Sequence, residues 1–267
     1  MEDLAVTLGN IQPIIIFSML ISLWVIESFI PYFAPSPGRK KMRRRNLVMV
    51  LISFAVNALA GLYVNEVIQF TARHQFGLLN LLNLPNAVSL TAGMLLIDMW
   101  DYGFHLLQHH IPLFWRFHRV HHSDTELDAS SSLRFHPFDI ILQTFGWTFM
   151  FTLLGISGLC FMIYFTFYIL LIFFQHANIK IPHFIDYYGS YVFSTPGWHK
   201  MHHAAERPLT DSHYGDVFTF WDRIFKTGGP VDVEHIQFGI EYFRHDDDQS
   251  VKNMLLMPFK PLYPDSK

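Results

Sequence analysis

The stretch Trp100–Pro137, WDYGFHLLQHHIPLFWRFHRVHHSDTELDASSSLRFHP, decides how this chain is read, because seven of its residues are histidine. His105 and His109 stand in H-x-x-x-H spacing, and His118, His121 and His122 stand in H-x-x-H-H spacing. A second H-x-x-H-H, made by His199, His202 and His203, begins 81 residues after the first. Residues three and four apart share a helix face, so each cluster is expected to point its imidazoles at one place. An imidazole binds a transition metal through one neutral nitrogen, while the other donates to a carboxylate or carbonyl that orients the ring. The three clusters supply eight candidate ligands, and His176 in FFQHAN supplies a ninth. A single zinc site takes three or four ligands, so nine point to two ions. Zinc, copper, iron and nickel all suit imidazole, so the spacing leaves the metal open.

The remaining histidines read differently. His110 is turned about 100° from His109 on a helix and reads as an interfacial side chain. His136 in RFHPFD precedes a proline, which disfavours helix, so it would act as a ligand from a turn; both the ligand and the turn reading stand, and His136 is kept in the ligand set. His213 in TDSHYGD carries the same two readings, with the turn preferred. His74, His183, His235 and His245 lie outside any cluster. Asp101, four residues before His105, is either a partner that orients that ring or a helix-face contact. Asp124, Glu126, Asp211, Asp216 and Asp222 are further carboxylates able to orient imidazoles.

Outward from this stretch the chain is apolar. Its 267 residues are 51% hydrophobic and 16% aromatic, which argues for a membrane protein over an ordinary soluble fold. A formal charge of −3 gives no reason to expect a nucleic-acid partner, and the single Cys160 sits in an apolar run as a small buried side chain. The N-terminus, MEDLAVTLGN, lacks a basic leader region, so the first apolar run is expected to persist in the mature chain.

That run, Ile14 to Phe33, is interrupted only by Glu27 and has the length of a membrane span. GRKKMRRRN follows, with six basic residues between Arg39 and Arg45, and then a second apolar run from Leu47 to about Phe70. Short loops rich in Lys and Arg stay cytoplasmic, so the first span is expected to run inward and the second outward. Residues 71–86, with Asn83, Pro85 and Asn86, are expected to form an external turn or a partly interfacial segment. Ala87 to about Leu107 returns and delivers His105 and His109 to the basic side. The block Phe138–Phe174 is too long for one crossing and is broken at Gly155, Ser157 and Gly158, which predicts a hairpin, out and back or re-entrant, whose return end delivers His176 to the same face. Of all Lys and Arg residues only Arg73 falls in a segment assigned outside, which agrees with this topology.

The expected fold is therefore all-α: a polytopic membrane protein with four or five transmembrane or re-entrant helices and a cytosolic helical lobe holding a histidine-rich dimetal site. Three regions are expected: an N-terminal transmembrane hairpin (1–86), a histidine-box catalytic core (87–228) and a C-terminal cytosolic tail (229–267). The histidine site is placed on the cytoplasmic face. Phe161, Tyr164, Phe165, Phe167 and Tyr168 in the hairpin could line a lipid pocket, although packing or lipid contact accounts for most of them. The basic cluster could also dock an acidic protein or anionic headgroups, but topology alone explains it.

From about Met94 to Thr227 the chain resembles the fatty acid hydroxylase superfamily of membrane histidine-box oxygenases. His105 and His109 match the first box, His118, His121 and His122 the second, and His199, His202 and His203 the third. His176 matches an additional family histidine, and FHPFD around His136 resembles the sterol-desaturase branch. SHYGDVFTFWDRIFKT resembles the region after the last box, where an asparagine commonly stands in place of His213. The resemblance implies two iron ions, O2 as co-substrate, and hydroxylation or desaturation of a C–H bond in a membrane lipid such as a sterol or fatty acyl chain. No haem domain or dinucleotide loop is recognisable, so a separate electron donor, cytochrome b5- or ferredoxin-like, is expected. The alternative is a membrane-embedded zinc hydrolase, against which stands the absence of H-E-x-x-H. A metal carrier or b-type cytochrome would place histidines within the bilayer, paired across helices.

Overall fold

The computed structural model describes residues 2–82 and 84–262, with side chains from Thr7 onward; the expected turn residue Asn83 and residues 263–267 of the expected tail lie outside the described residues. Twelve α-helices make up the described chain: α1 Glu2–Phe29, α2 Arg39–Arg73, α3 Leu78–Leu82, α4 Asn86–His110, α5 Pro112–His122, α6 Pro137–Leu154, α7 Gly158–His176, α8 His183–Gly189, α9 Pro196–His202, α10 Arg207–Thr210, α11 Phe220–Ile224 and α12 Val251–Leu256. Isolated β-bridges occur, but no sheet is present among the described residues. The all-α expectation holds.

Among the described residues, three helical stretches are long and apolar enough to cross a membrane: Thr7–Phe29, Arg39–Leu82 and Gly158–His176. Ile14, Phe17, Ile21 and Phe29 of α1 and Leu51, Phe54, Leu59 and Leu62 of α2 are exposed, a density of large apolar side chains that suits lipid rather than water. Helix α4 is more polar because it carries Asp98, Asp101, His105, His109 and His110. Helix α6 starts with Pro137 and Asp139.

The helix starts follow from local chemistry. Proline occupies the first turn of α5, α6 and α9, where its missing N–H costs nothing. Ser157 caps α7 by accepting from Cys160 N. Gly155 ends α6 with φ +67°, and a Cβ there would strike the Asn80 side chain and the Phe76 carbonyl. The turn between α6 and α7 thus abuts the segment after α2, at the end of the bundle away from the histidines.

Helix α1 packs along α7, and α2 packs along α6. One departure from the sequence reading concerns a charged segment. The basic cluster is the first turns of α2, not a loop, and most of it is paired. Arg43 binds Glu27 and Asp128, Arg39 lies 3.9 Å from Asp128, and Lys41 and Arg45 bind Asp246. Lys40 and Arg44 are exposed. The C-terminal segment packs back on the helices: Met254 and Met257 are buried with Met49 and Val120, and the Arg119 guanidinium donates to the carbonyls of Met257, Lys260, Pro261 and Leu262.

Candidate metal centre

Nine buried histidines gather at one end of the bundle in two groups. His105, His109, His118, His122 and His202 form the first, and His121, His176, His199 and His203 the second; within each group one ring nitrogen per residue lies within 4.8 Å of all the others. The expectation that each cluster aims at one place is corrected here. The first H-x-x-H-H gives His118 and His122 to the five-histidine group but His121 to the other, while the second gives His199 and His203 to the four-histidine group but His202 to the first. The reason is helical geometry: residues i and i+4 lie nearly in line, but adjacent residues diverge by about 100°, so an H-H pair reaches two neighbouring points.

Burial, and then repulsion among neighbouring rings, hold His121, His122, His199, His202 and His203 far below the ordinary imidazole range, so these rings are neutral and each carries one bare lone pair. Fixed acceptors then decide which nitrogen is bare. His105 Nδ1 lies 2.9 Å from the Tyr214 carbonyl, His202 Nδ1 2.7 Å from the Ser212 carbonyl, and His176 Nδ1 2.8 Å from the Ile172 carbonyl. Carbonyls only accept, so these Nδ1 atoms carry the hydrogen and Nε2 does not. His109 Nδ1 faces the Asp211 carboxylate at 3.1 Å, and His118 Nδ1 faces Asp139 at 3.2 Å, with Gln108 Nε2 bracing Asp139 at 2.8 Å.

The donor set fits a metal. His105 and His202 present Nε2 to Nε2 at 2.9 Å although both hydrogens are committed elsewhere, so no hydrogen bond can join them. His109 Nε2 is buried without a protein partner. Converging bare lone pairs of this kind need a cation among them, and the carboxylate and carbonyl partners behind the rings are those typical of metal-bound histidine.

The other expected residues fall outside the two groups. His136 caps α6, its Nδ1 accepting from Phe138 N at 3.1 Å, with Nε2 3.3 Å from the Leu255 carbonyl. His213 has φ +57° and bonds to Ser212 and to the Gly229 backbone. His110 is exposed and contacts the Tyr214 hydroxyl. Asp101 does not touch His105; it accepts from Trp147 Nε1 at 2.6 Å and meets the Tyr164 hydroxyl at 2.8 Å. Among the candidate carboxylates, Asp211 faces His109, and Asp216 lies 3.5 Å from His105, with burial and neighbouring carboxylates holding it well above the usual range. Asp222 accepts from the backbone of Tyr214 and Gly215 and from Trp198, so it fixes the loop that orients His105. Asp124 binds Asn46 and Ser131, and Glu126 binds Ser36.

Two residues of consequence carried weak sequence signals. Asp139 sits in the apolar hairpin three residues after His136 and braces His118. Glu27, the one acid of the first apolar run, is 1% exposed; its Oε1 accepts from Ala129 N at 2.9 Å and Asn178 N at 2.8 Å, tying α1 to the two chain segments that leave the centre. An acid in a spanning run is the signal that finds such a residue.

A cavity of about 420 Å³ lies between α1, α2, α6 and α7, lined by Val50, Ala60, Val64, Phe161, Phe165 and Ile169 among others. Of the five hairpin aromatics, Phe161, Phe165 and Tyr168 line it, whereas Tyr164 is buried against Asp98 and Asp101 and Phe167 packs on Phe193. At its inner end Phe135 stacks on His121, with centroids 4.6 Å apart and planes at 6°. A larger cleft of about 940 Å³ is lined by Lys180, Asp186, Lys200 and Arg223, outside the spanning helices.

The family model for fatty acid hydroxylase matches residues 90–227. Alkylglycerol monooxygenase of Homo sapiens is 28% identical over 150 residues, 55% of this chain and 32% of its own. Methylsterol monooxygenase 1 of Danio rerio is 27% identical over 158 residues, 57% of this chain and 48% of its own. Sphingolipid C4-hydroxylase of Saccharomyces cerevisiae is 28% identical over 144 residues, covering 53% and 40%. The chain spans about a third of the length of the alkylglycerol monooxygenases it matches. No solved structure matches.

Proposed function

The chain belongs to the fatty acid hydroxylase family, and from that premise we propose that it is a membrane lipid oxygenase with a di-iron centre, using O2 to hydroxylate or desaturate a C–H bond of a lipid. One observation carries the reading: two groups of buried imidazoles gather beside an apolar cavity between α1, α2, α6 and α7, and Phe135, which lines that cavity, stacks on His121 of the four-histidine group. His105, His109, His118, His122 and His202 would hold one ion, and His121, His176, His199 and His203 the other. His136 is better read as the cap of α6 than as a ligand. Bound there, a metal pair supplies the activation of O2 and the oxidation of carbon.

The chain itself binds, orients and excludes water. In hydroxylation one C–H bond, O2, two electrons and two protons become one C–OH and one water. Phe135, Tyr168 and Ile172 close the inner end of the cavity and keep the reacting carbon out of bulk water. The cavity runs from Val50 to Val64 along α2, a rise of about 21 Å, more than half the depth of a ~30 Å hydrocarbon core. A membrane lipid chain therefore has room to lie along it.

We read α1, α2, α4, α6 and α7 as five crossings, residues 87–228 as the catalytic core, and the histidine end as cytoplasmic. The basic start of α2 meets Asp128 at that same end, which supports the sidedness through the preference of Lys and Arg for the cytoplasmic side. Electrons would come from a separate donor protein. The test is metal analysis of protein purified without air, followed by exposure of membranes to labelled O2. About two irons per chain and label in a lipid product are expected; persistent zinc with no O2-dependent product would sink the reading.

A further inference from the structure

The two histidine groups are anchored unequally. In the five-histidine group, four rings have their second nitrogen held by a group outside the ring set: His105 by Tyr214 O, His109 by Asp211, His118 by Asp139 and His202 by Ser212 O. Only His122 Nδ1 has no protein partner. In the four-histidine group the order is reversed. His176 alone is held, by the Ile172 carbonyl of its own helix, while the Nδ1 atoms of His121, His199 and His203 are buried without one.

Metal binding through Nε2 forces the hydrogen onto Nδ1. Where an acceptor waits, that tautomer is already selected and the ring already aimed. Where none does, the ion fixes a buried N–H without a protein acceptor, at a cost repeated for each such ring. Asp139 and Asp211 also place negative charge behind two rings of the five-histidine group, which raises their basicity toward a cation.

We propose that the sites bind metal with unequal strength: the five-histidine group keeps its ion, and the four-histidine group, beside Phe135 and the lipid cavity, holds the exchangeable one. This rests on the reading that each group holds a metal. The substrate-facing position is then the one filled last and emptied first, so a half-loaded protein carries one ion and lacks the other.

The test is chelator competition on the full-length protein in detergent, loaded with zinc(II) and, in a parallel arm, with iron(II) under argon. Two releases separated by at least tenfold in effective chelator strength are expected, with a plateau of about one ion per chain. His199→Ala should abolish the weak release and leave the tight one. Asp139→Asn should weaken the tight site by 10- to 100-fold and leave the weak one unmoved, a selectivity that general loss of structure would not produce. The half-loaded wild type needs no substitution: its cobalt(II) form should show the weak absorption of a five-coordinate ion, and the second equivalent the stronger band of a four-coordinate one. Joint release of both ions in the wild type, or loss of the tight ion in His199→Ala, would overturn the proposal. The zinc arm needs no oxidation, so two-step release without any O2-dependent product would refute the oxygenase reading and leave this one standing.

Discussion

Replacing Glu27 by alanine removes an acceptor shared by two buried backbone N–H groups, those of Ala129 and Asn178. Each buried donor left without a partner costs roughly 1 to 3 kcal/mol, so the substitution should cost about 4 kcal/mol. Arg43 adds little to this sum because it keeps its second partner, Asp128, at 2.6 Å. For a chain of this size each kcal/mol lowers the melting point by roughly 2 to 4 °C, which gives a fall on the order of 10 °C. Glu27→Gln keeps a carbonyl oxygen that both N–H groups can use and loses only the charge assistance, so it should cost roughly 1 to 2 kcal/mol. The assay is thermal unfolding in detergent followed by tryptophan fluorescence, with metal content measured alongside. Asn178 lies two residues after His176, so the alanine variant should also release metal at a lower temperature. An alanine variant that melts within 2 °C of wild type, or a glutamine variant as damaged as alanine, would refute the view that the two backbone donors dominate.

The metal-free protein should be acid-sensitive. His121, His122, His199, His202 and His203 are held neutral when folded, with pKa values far below the ordinary 6.5 of the unfolded chain. The unfolded state therefore binds more protons below pH 6.5, and stability falls as pH falls. In the unfolded chain each ring goes from half to about nine-tenths protonated between pH 6.5 and 5.5, which costs about 1 kcal/mol per ring, so that step should cost on the order of 5 kcal/mol for the five rings. Pulse proteolysis across that window tests it, and a flat profile would contradict the burial of the rings. Phe135→Ala should open the cavity onto His121 and change which carbon of a lipid chain is oxidised, read by product mass spectrometry; an unchanged product at an unchanged rate would separate the cavity from the reaction. Arg119→Met removes the donors to the carbonyls of Met257, Lys260, Pro261 and Leu262, and should expose the C-terminal segment to protease at least tenfold faster.

Much of this protein is legible in its sequence because the signals are local and periodic. Long apolar runs require helices where no water can satisfy the backbone, and the glycine break at Gly155 marks the hairpin. Eight histidines at helical spacing, with His176, point to a metal-binding site with more ligands than one ion needs. Asp139 and Glu27 were harder to see, since an acid in an apolar run says that it is paired but not with what.

What the sequence by itself determined is the inventory: an all-α membrane chain, its histidine ligand candidates, and their delivery to one end of the bundle. The tertiary structure decided the partition. His121 and His122 are neighbours in the chain yet serve different groups, because adjacent helical residues diverge by about 100° and α9 crosses where both points can be reached. It also decided which imidazole nitrogens are bare, because the atoms that fix them, the carbonyls of Tyr214, Ser212 and Ile172, belong to the backbone. Every residue has such a carbonyl, so no side-chain pattern can announce the one that a fold will place behind a histidine ring.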